Sequence, residues 1–160
     1  LALVAEPAEK DVMSRPPRPP KENLFAGGLT ARILLTGILL TIAGIFIQWW
    51  TINQGLSVST QQTAVFTTLC FVQLGNALSV RSVYHSMLSS AIFANKAMWG
   101  AIILTVILQL LIVYVPFLQP IFKTSSLSRE VMLVILAVTV TCVLCIECLK
   151  FIGKRKHSGK

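Results

Sequence analysis

Residues 33–80 read ILLTGILLTIAGIFIQWWTINQGLSVSTQQTAVFTTLCFVQLGNALSV, and none of these 48 side chains carries a charge. A helix that crosses a bilayer needs roughly 20 consecutive residues that are mostly apolar. The stretch is therefore long enough for two membrane-spanning helices, which meet at the polar segment TINQGLSVS of residues 51–59. We predict these two spans at about residues 31–50 and 60–80.

Two more apolar runs follow toward the carboxyl terminus. The 26 residues after Lys96 carry no charge, and residues 131–152 carry only two charged side chains. They predict spans at about residues 96–115 and 129–152. All four spans should be helices, because a backbone inside lipid must satisfy its own hydrogen bonds. The expected fold class is therefore an all-α integral membrane protein with four transmembrane helices.

The composition excludes other classes of protein. Of the 160 residues, 54% are apolar and 12% are charged, which is about half the charged share of a soluble domain. The formal net charge of +8 would suit a nucleic-acid binder. However, the basic residues cluster at the ends of the apolar runs, where membrane topology accounts for them. We therefore expect the lipid bilayer as a partner and no nucleic acid.

Lysine and arginine are distributed unevenly between the two sides of the predicted membrane. Twelve of the fourteen lie before or at the start of the first span, around the connector between the second and third spans, or at the end of the fourth. Only Lys123 and Arg129 lie in the loops of the opposite side. Because these residues accumulate on the cytoplasmic side, we predict that both termini, the lead-in 1–30 and the basic tail 153–160, are cytoplasmic.

All four cysteines lie in apolar runs, which argues against a secreted disulfide framework. Cys142, Cys145 and Cys148 are spaced by three residues on the fourth span. One straight helix cannot arrange three thiolates around a tetrahedral zinc ion. We therefore predict no firm metal site, and the sequence offers no catalytic residue.

The lead-in contains a proline-rich motif, DVMSRPPRPP at residues 11–20, which follows LAL at residues 1–3. It resembles the cytoplasmic loop after the sixth transmembrane helix of type II P-type cation ATPases, the branch of calcium and sodium–potassium pumps. Further matches occur in family order, at NAL (76–78), YVP (114–116), IFK (121–123) and ECLKFI (147–152). By this resemblance, the four spans correspond to helices seven to ten of a pump, and residues 1–30 to the end of helix six and the loop after it.

The resemblance also implies what the chain does and what it lacks. In the family, the aspartate of a D-K-T-G motif accepts the phosphoryl group of ATP, and this sequence has no such motif. The chain then looks like a fragment of an ATP-driven cation transporter of the calcium type, bracing the cation-binding helices and inactive as an ATPase alone. ATP, magnesium and the transported cation belong to the parent. Its remaining helices and cytoplasmic domains would be partners, and the plasma membrane is the expected location.

Gln73 and Asn76 are three residues apart on the second span and share a face of the helix. Gln73 lies roughly 12 Å along the helix from Arg81, well inside the bilayer. Side-chain carbonyl oxygens suit hard cations, so both are candidates for a cation site or pathway; hydrogen bonding between helices is the alternative. By resemblance, two-site calcium pumps carry a carboxylate at the position of Gln73, so its neutral amide implies a weak second calcium site.

Glu147 is the only acidic residue in the interior of a predicted span, since Glu130 stands at the very start of the fourth. A charge at the centre of a spanning helix costs about 2.5–3.5 kcal/mol. Lys150 lies one turn further and can pair with Glu147 while reaching toward the cytoplasmic interface. The alternative is a role for Glu147 in a proton or ion pathway.

Two function classes compete with the pump fragment. One is a free-standing four-helix membrane scaffold or accessory subunit, and the other is a small ion channel or carrier with Gln73, Asn76 and Glu147 along its path. The reading frame upstream separates them. A D-K-T-G motif several hundred residues before Leu1 would favour the pump, and a start codon near Leu1 would favour the scaffold.

Overall fold

The computed structural model of the protein describes residues 29–81 and 96–157, and the regular secondary structure in these ranges is helical. The helices, in chain order, are α1 (Leu29–Asn53), α2 (Val58–Arg81), α3 (Lys96–Tyr114), the one-turn α4 (Gln119–Phe122) and α5 (Arg129–His157). The proline-rich motif and the whole connector between α2 and α3, residues 82–95, lie outside the described residues. The prediction of an all-α fold is confirmed for the described ranges.

Three of the long helices are long and apolar enough to cross a membrane, through the segments Ile33–Asn53, Ala97–Tyr114 and Arg129–Leu149. The chain is thus an integral, multi-pass membrane protein. Helix α2 has 24 residues, but its threonine, glutamine and asparagine side chains make it too polar for this group. The predicted count of four spans therefore depends on α2 and stays a prediction, as do the domain bounds.

A tight turn at Gly55 joins α1 to α2. Gly55 has a φ of 66°, a left-handed conformation that glycine adopts without steric cost. The Gly55 N–H donates to the carbonyl of Ile52 at 2.9 Å, and the Leu56 N–H donates to that of Thr51 at 3.3 Å. This pair of bonds is the Schellman motif, which satisfies the last carbonyls of a helix. The turn sends α2 back alongside α1 in the opposite direction.

Helix α2 contacts α1, α3 and α5 and lies between them. A Cβ atom on Gly75 would collide with the Val143 side chain of α5. Four residues further along both helices, Ser79 is hydrogen-bonded to Glu147. Because both partners advance by four residues between these contacts, α2 and α5 run parallel, as expected when α3 returns the chain between them.

The apolar core lies where α1, α2 and α5 meet, with a contribution from the end of α3. Its main cluster of buried side chains consists of Ile47, Ala64, Phe71, Val113, Leu127, Val131 and Ile135. A smaller cluster takes one residue from each of α1, α2 and α5, namely Ala43, Val72 and Cys142. The outer faces of α1 and α3 instead carry many exposed isoleucine and leucine side chains, which suit contact with lipid tails.

Most hydroxyl side chains of α2 turn inward. Thr63, Thr67, Thr68 and Ser79 are all buried. Thr68 Oγ1 donates to the carbonyl of Ala64, four residues earlier, at 2.8 Å. Such bonds satisfy a hydroxyl group within its own helix. Helix α2, the one long helix that is too polar to count among the three apolar ones, is thus also the one that contacts all three others.

Candidate functional site

Gln73 lies on the outer face of α2. Its side chain is exposed, as are those of Gln62, Phe66 and Ala77. Successive members of this set are four, seven and four residues apart, so the four side chains form one stripe along the helix. We call this surface the α2 stripe. Within the described part of the chain, the Gln73 amide has no hydrogen-bond partner. It therefore does not hold the described helices together.

Asn76 lies in a different environment from Gln73. Its side chain is half-buried, and its Oδ1 atom is enclosed without a hydrogen-bond partner among the described residues. An enclosed acceptor of this kind costs about 1–3 kcal/mol when it is left unsatisfied. The two amides, about 60° apart around the helix axis, thus differ in accessibility, one on the outer surface and one turned inward.

Glu147 is enclosed at the contact between α5 and α2. Its side chain is 9% exposed, and its Oε1 accepts a hydrogen bond from Ser79 Oγ at 2.6 Å. That length is typical of a hydroxyl group donating to a carboxylate. The bond joins residues 68 positions apart in the chain. The Lys150 side chain lies outside the described part of the structure, so the predicted Glu147–Lys150 pair stays a prediction.

The partner of Glu147 was missed by the sequence reasoning. Ser79 stands two residues before Arg81, and Glu147 stands three residues before Lys150. Two polar residues at the same depth on parallel spans are candidates for a mutual hydrogen bond. That similarity was the signal that could have paired them.

A second polar contact, also missed, joins α3 to α2. Gln109 is 3% exposed, and its Nε2 donates to Oγ1 of the fully buried Thr67 at 3.0 Å. Gln109 is the only side-chain amide in α3. A lone amide in an apolar span needs an interhelical partner, so its isolation was the usable signal.

The three cysteines of α5 occupy different surroundings. Cys142 is buried, whereas Cys145 and Cys148 are exposed. In residues 29–81 and 96–157, no group of three histidine, cysteine, aspartate or glutamate side chains could hold a metal ion. The i, i+3, i+6 spacing thus places the three thiols in different surroundings.

The chemistry available at Gln73 is that of a single neutral oxygen ligand. Calcium takes six to eight oxygen ligands, many of them charged. A cation bound near Gln73 thus needs ligands from outside the described helices. The exposed position of the α2 stripe leaves room for such ligands.

Comparison with known proteins matches residues 1–152 to the family described as cation transporting ATPase, C-terminus. The chain is 30% identical over 156 residues, 98% of its length, to calcium-transporting ATPase type 2C member 1 of Homo sapiens. It is 29% identical over 99% of its length to calcium-transporting ATPase 1 of Yarrowia lipolytica. It is 37% identical over 80% of its length to a calcium-transporting ATPase of Bacillus subtilis. The matches cover 17%, 17% and 14% of these relatives, so the chain spans about a sixth of their length.

Proposed function

The chain belongs to the C-terminal family of cation-transporting ATPases, and we propose on this basis that it is the C-terminal membrane region of an ATP-driven calcium pump. The observation that carries the proposal is the match of nearly the whole chain to calcium-transporting ATPases. In such a pump, ATP and magnesium act on cytoplasmic domains, and calcium is the cargo. This chain contributes membrane helices that brace the cation-binding helices.

The α2 stripe is the surface that we assign to contact with those helices. It carries two amides, Gln62 and Gln73, on an exposed face of a helix in a membrane protein. Polar side chains inside a membrane face protein or a water-filled cavity rather than lipid. In this arrangement, Gln73 is a peripheral oxygen ligand or lines the ion pathway, and Asn76 supports it from one turn further along the helix.

Glu147 and Ser79 tie α5 to α2 on the other side of the same helix. Their hydrogen bond of 2.6 Å lies one turn beyond the close contact between Gly75 and Val143. Along α2 the Gly75 contact lies between Gln73 and Asn76, and the Ser79 contact lies one turn beyond it. Helix α5 would thereby hold the candidate ligands at a constant position while the pump changes conformation.

Helix α2 is the fourth span in this proposal. Its 24 residues extend about 36 Å, enough to cross the hydrocarbon core. Its buried hydroxyl groups face the neighbouring helices instead of lipid. With four spans and the uneven distribution of lysine and arginine, both termini lie in the cytoplasm.

Cysteine labelling tests this topology. A thiol reagent that cannot cross the membrane should label Ser126→Cys from outside intact cells, because the loop after α3 lies opposite the termini. Lys160→Cys should react only after the membrane is permeabilised, and the unmodified protein gives the background from the native cysteines. Labelling of Lys160→Cys, and not of Ser126→Cys, on intact cells would show that the orientation is reversed.

Transport measurements test the function itself. Sealed vesicles that contain the full-length protein should take up calcium when ATP and magnesium are supplied, and uptake should stop without ATP. Residues 1–160 alone should hydrolyse no ATP, since they lack the D-K-T-G motif. ATP hydrolysis by the purified 1–160 chain would refute the pump-fragment proposal, and passive calcium flux through it would identify a channel.

The plasma membrane stays our prediction for the location of the pump. Fractionation of the source cells, with the protein detected by an antibody, separates the plasma membrane from internal membranes. Recovery with the internal membranes would move the pump to another compartment without changing its proposed activity.

A further inference from the structure

The segment that joins α3 to α5 turns large apolar side chains outward. Phe117 is 77% exposed, Ile121 is 61% exposed and Phe122 is 53% exposed. All three belong to a stretch of six residues that begins three positions after the end of α3. Exposed apolar groups concentrated in this way mark a surface that contacts something other than water.

Two polar side chains of the same segment, Gln119 and Thr124, turn toward α3. Gln119 Nε2 donates to the carbonyl of Val113 at 2.8 Å, and Thr124 Oγ1 donates to the carbonyl of Ile112 at 2.7 Å. Both acceptors are among the last carbonyls of α3, which have no partner within their own helix. The loop therefore uses its polar groups to complete α3 and leaves its apolar groups outside.

Further hydrogen bonds fix this arrangement to the start of α2. The Ser125 N–H donates to Thr63 Oγ1 at 3.0 Å, and Ser125 Oγ donates to Thr60 Oγ1 at 3.1 Å. Tyr114 Oη donates to the carbonyl of Leu127 at 3.2 Å. Because the segment is held at both ends, the outward display of Phe117 and Ile121 is a fixed property of the fold.

We propose that residues 116–123, the interfacial loop, lie at the boundary of headgroups and acyl chains in the leaflet at the carboxyl-terminal end of α3, with phospholipid as the partner. Apolar side chains that point outward beside a basic residue are typical of a segment at this boundary. The apolar surface also continues from α3, where Ile107 and Leu111 are exposed, directly onto the loop. A protein segment that covered only the loop would not need the exposed apolar surface to extend from the loop onto α3.

Lys123 completes the interfacial loop at its polar edge. It is exposed and holds a left-handed conformation with a φ of 54°. The Thr124 N–H donates to the carbonyl of Gln119 at 3.0 Å and closes the turn around it. An ammonium group beside an apolar surface can remain at the headgroup level and pair with phosphate.

Site-specific photocrosslinking tests the proposal in the full-length protein. The photoreactive analogue p-benzoylphenylalanine is placed at position Phe117, at position Ile121 or, as the matched control, at the exposed polar position Ser126 of the same segment. The protein is reconstituted in vesicles of equimolar phosphatidylcholine and phosphatidylglycerol and then irradiated. We expect several-fold more phospholipid adduct, identified by mass spectrometry, at positions 117 and 121 than at position 126.

Two results would overturn the proposal. Crosslinks from positions 117 and 121 to other peptides of the protein would show that a protein segment covers the loop. Absent adduct at all three positions would place the loop in water, and equal adduct at all three would show that positions 117 and 121 have no preferential contact with lipid. Lys123→Gln should lower the share of phosphatidylglycerol among the adducts, and an unchanged share would exclude the headgroup contact. None of these readouts depends on which ion the protein transports.

Discussion

Gly75→Ala should lower the free energy of unfolding by about 1–3 kcal/mol relative to Gly100→Ala, because the added methyl group overpacks a close helix contact. A Cβ atom at Gly75 would collide with Val143 Cγ2, whereas a Cβ atom at Gly100 meets no atom within 4 Å. Both substitutions raise helix propensity by a similar amount. Their difference therefore isolates the contact between α2 and α5, and denaturant titration in mixed detergent micelles measures it.

A second substitution checks that the effect comes from this contact. Val143→Ala removes the methyl group that the new Cβ atom would strike, so Gly75→Ala should cost less in the Val143→Ala background. The coupling between two residues in contact is the quantity that a double-mutant cycle reports. If Gly75→Ala and Gly100→Ala changed the free energy of unfolding equally, α2 and α5 would not approach each other closely at Gly75.

Gln73→Ala in the full-length pump should weaken calcium affinity about tenfold, the equivalent of losing one interaction of about 1.4 kcal/mol. Gln73→Glu should strengthen it, since a carboxylate offers two charged oxygens where the amide offers one neutral oxygen. Both expectations rest on the proposed function. The calcium dependence of ATP hydrolysis gives the affinities, and the maximal rate at saturating calcium shows whether turnover is retained.

Gln62→Ala is the matched control for Gln73. Gln62 lies on the same α2 stripe, but eleven residues away, or about 16 Å along the helix. Its substitution should leave the calcium affinity unchanged. If both Gln73 variants also keep their calcium affinity, and thermal stability falls mainly in Gln73→Glu, then Gln73 is a packing residue that rejects a buried charge.

The helices could be predicted from sequence because lipid allows a single spanning chain little other regular structure. The carboxyl-terminal end of α1 could not. Helix α1 continues through the polar residues 51–53, since the hydrogen bonds around Gly55 complete its last turn. Helix α4 was not predicted, because it depends on Gln119 reaching the end of α3, a contact that no local pattern encodes.

The candidate site was less predictable than the helices. Spacing placed Gln73 and Asn76 on a common face, but the positions of the neighbouring helices decide which amide is exposed. Ser79 and Glu147 meet across 68 residues, so their contact depends on the register between α2 and α5. Registers of this kind arise from packing between helices, which periodicity within one helix does not determine.

The tight turn at Gly55 also bears on how the protein enters the membrane. Only four residues separate the end of α1 at Asn53 from the start of α2 at Val58, and a link of this length keeps the two helices side by side. Alone, α2 would expose Thr67 and Ser79 to the hydrocarbon, groups that the folded protein buries. With α2 as the proposed fourth span, the two helices enter as one hairpin, and the apolar α1 carries its more polar partner across. In that proposal Gly55 acts at insertion, before α3 and α5 have been made.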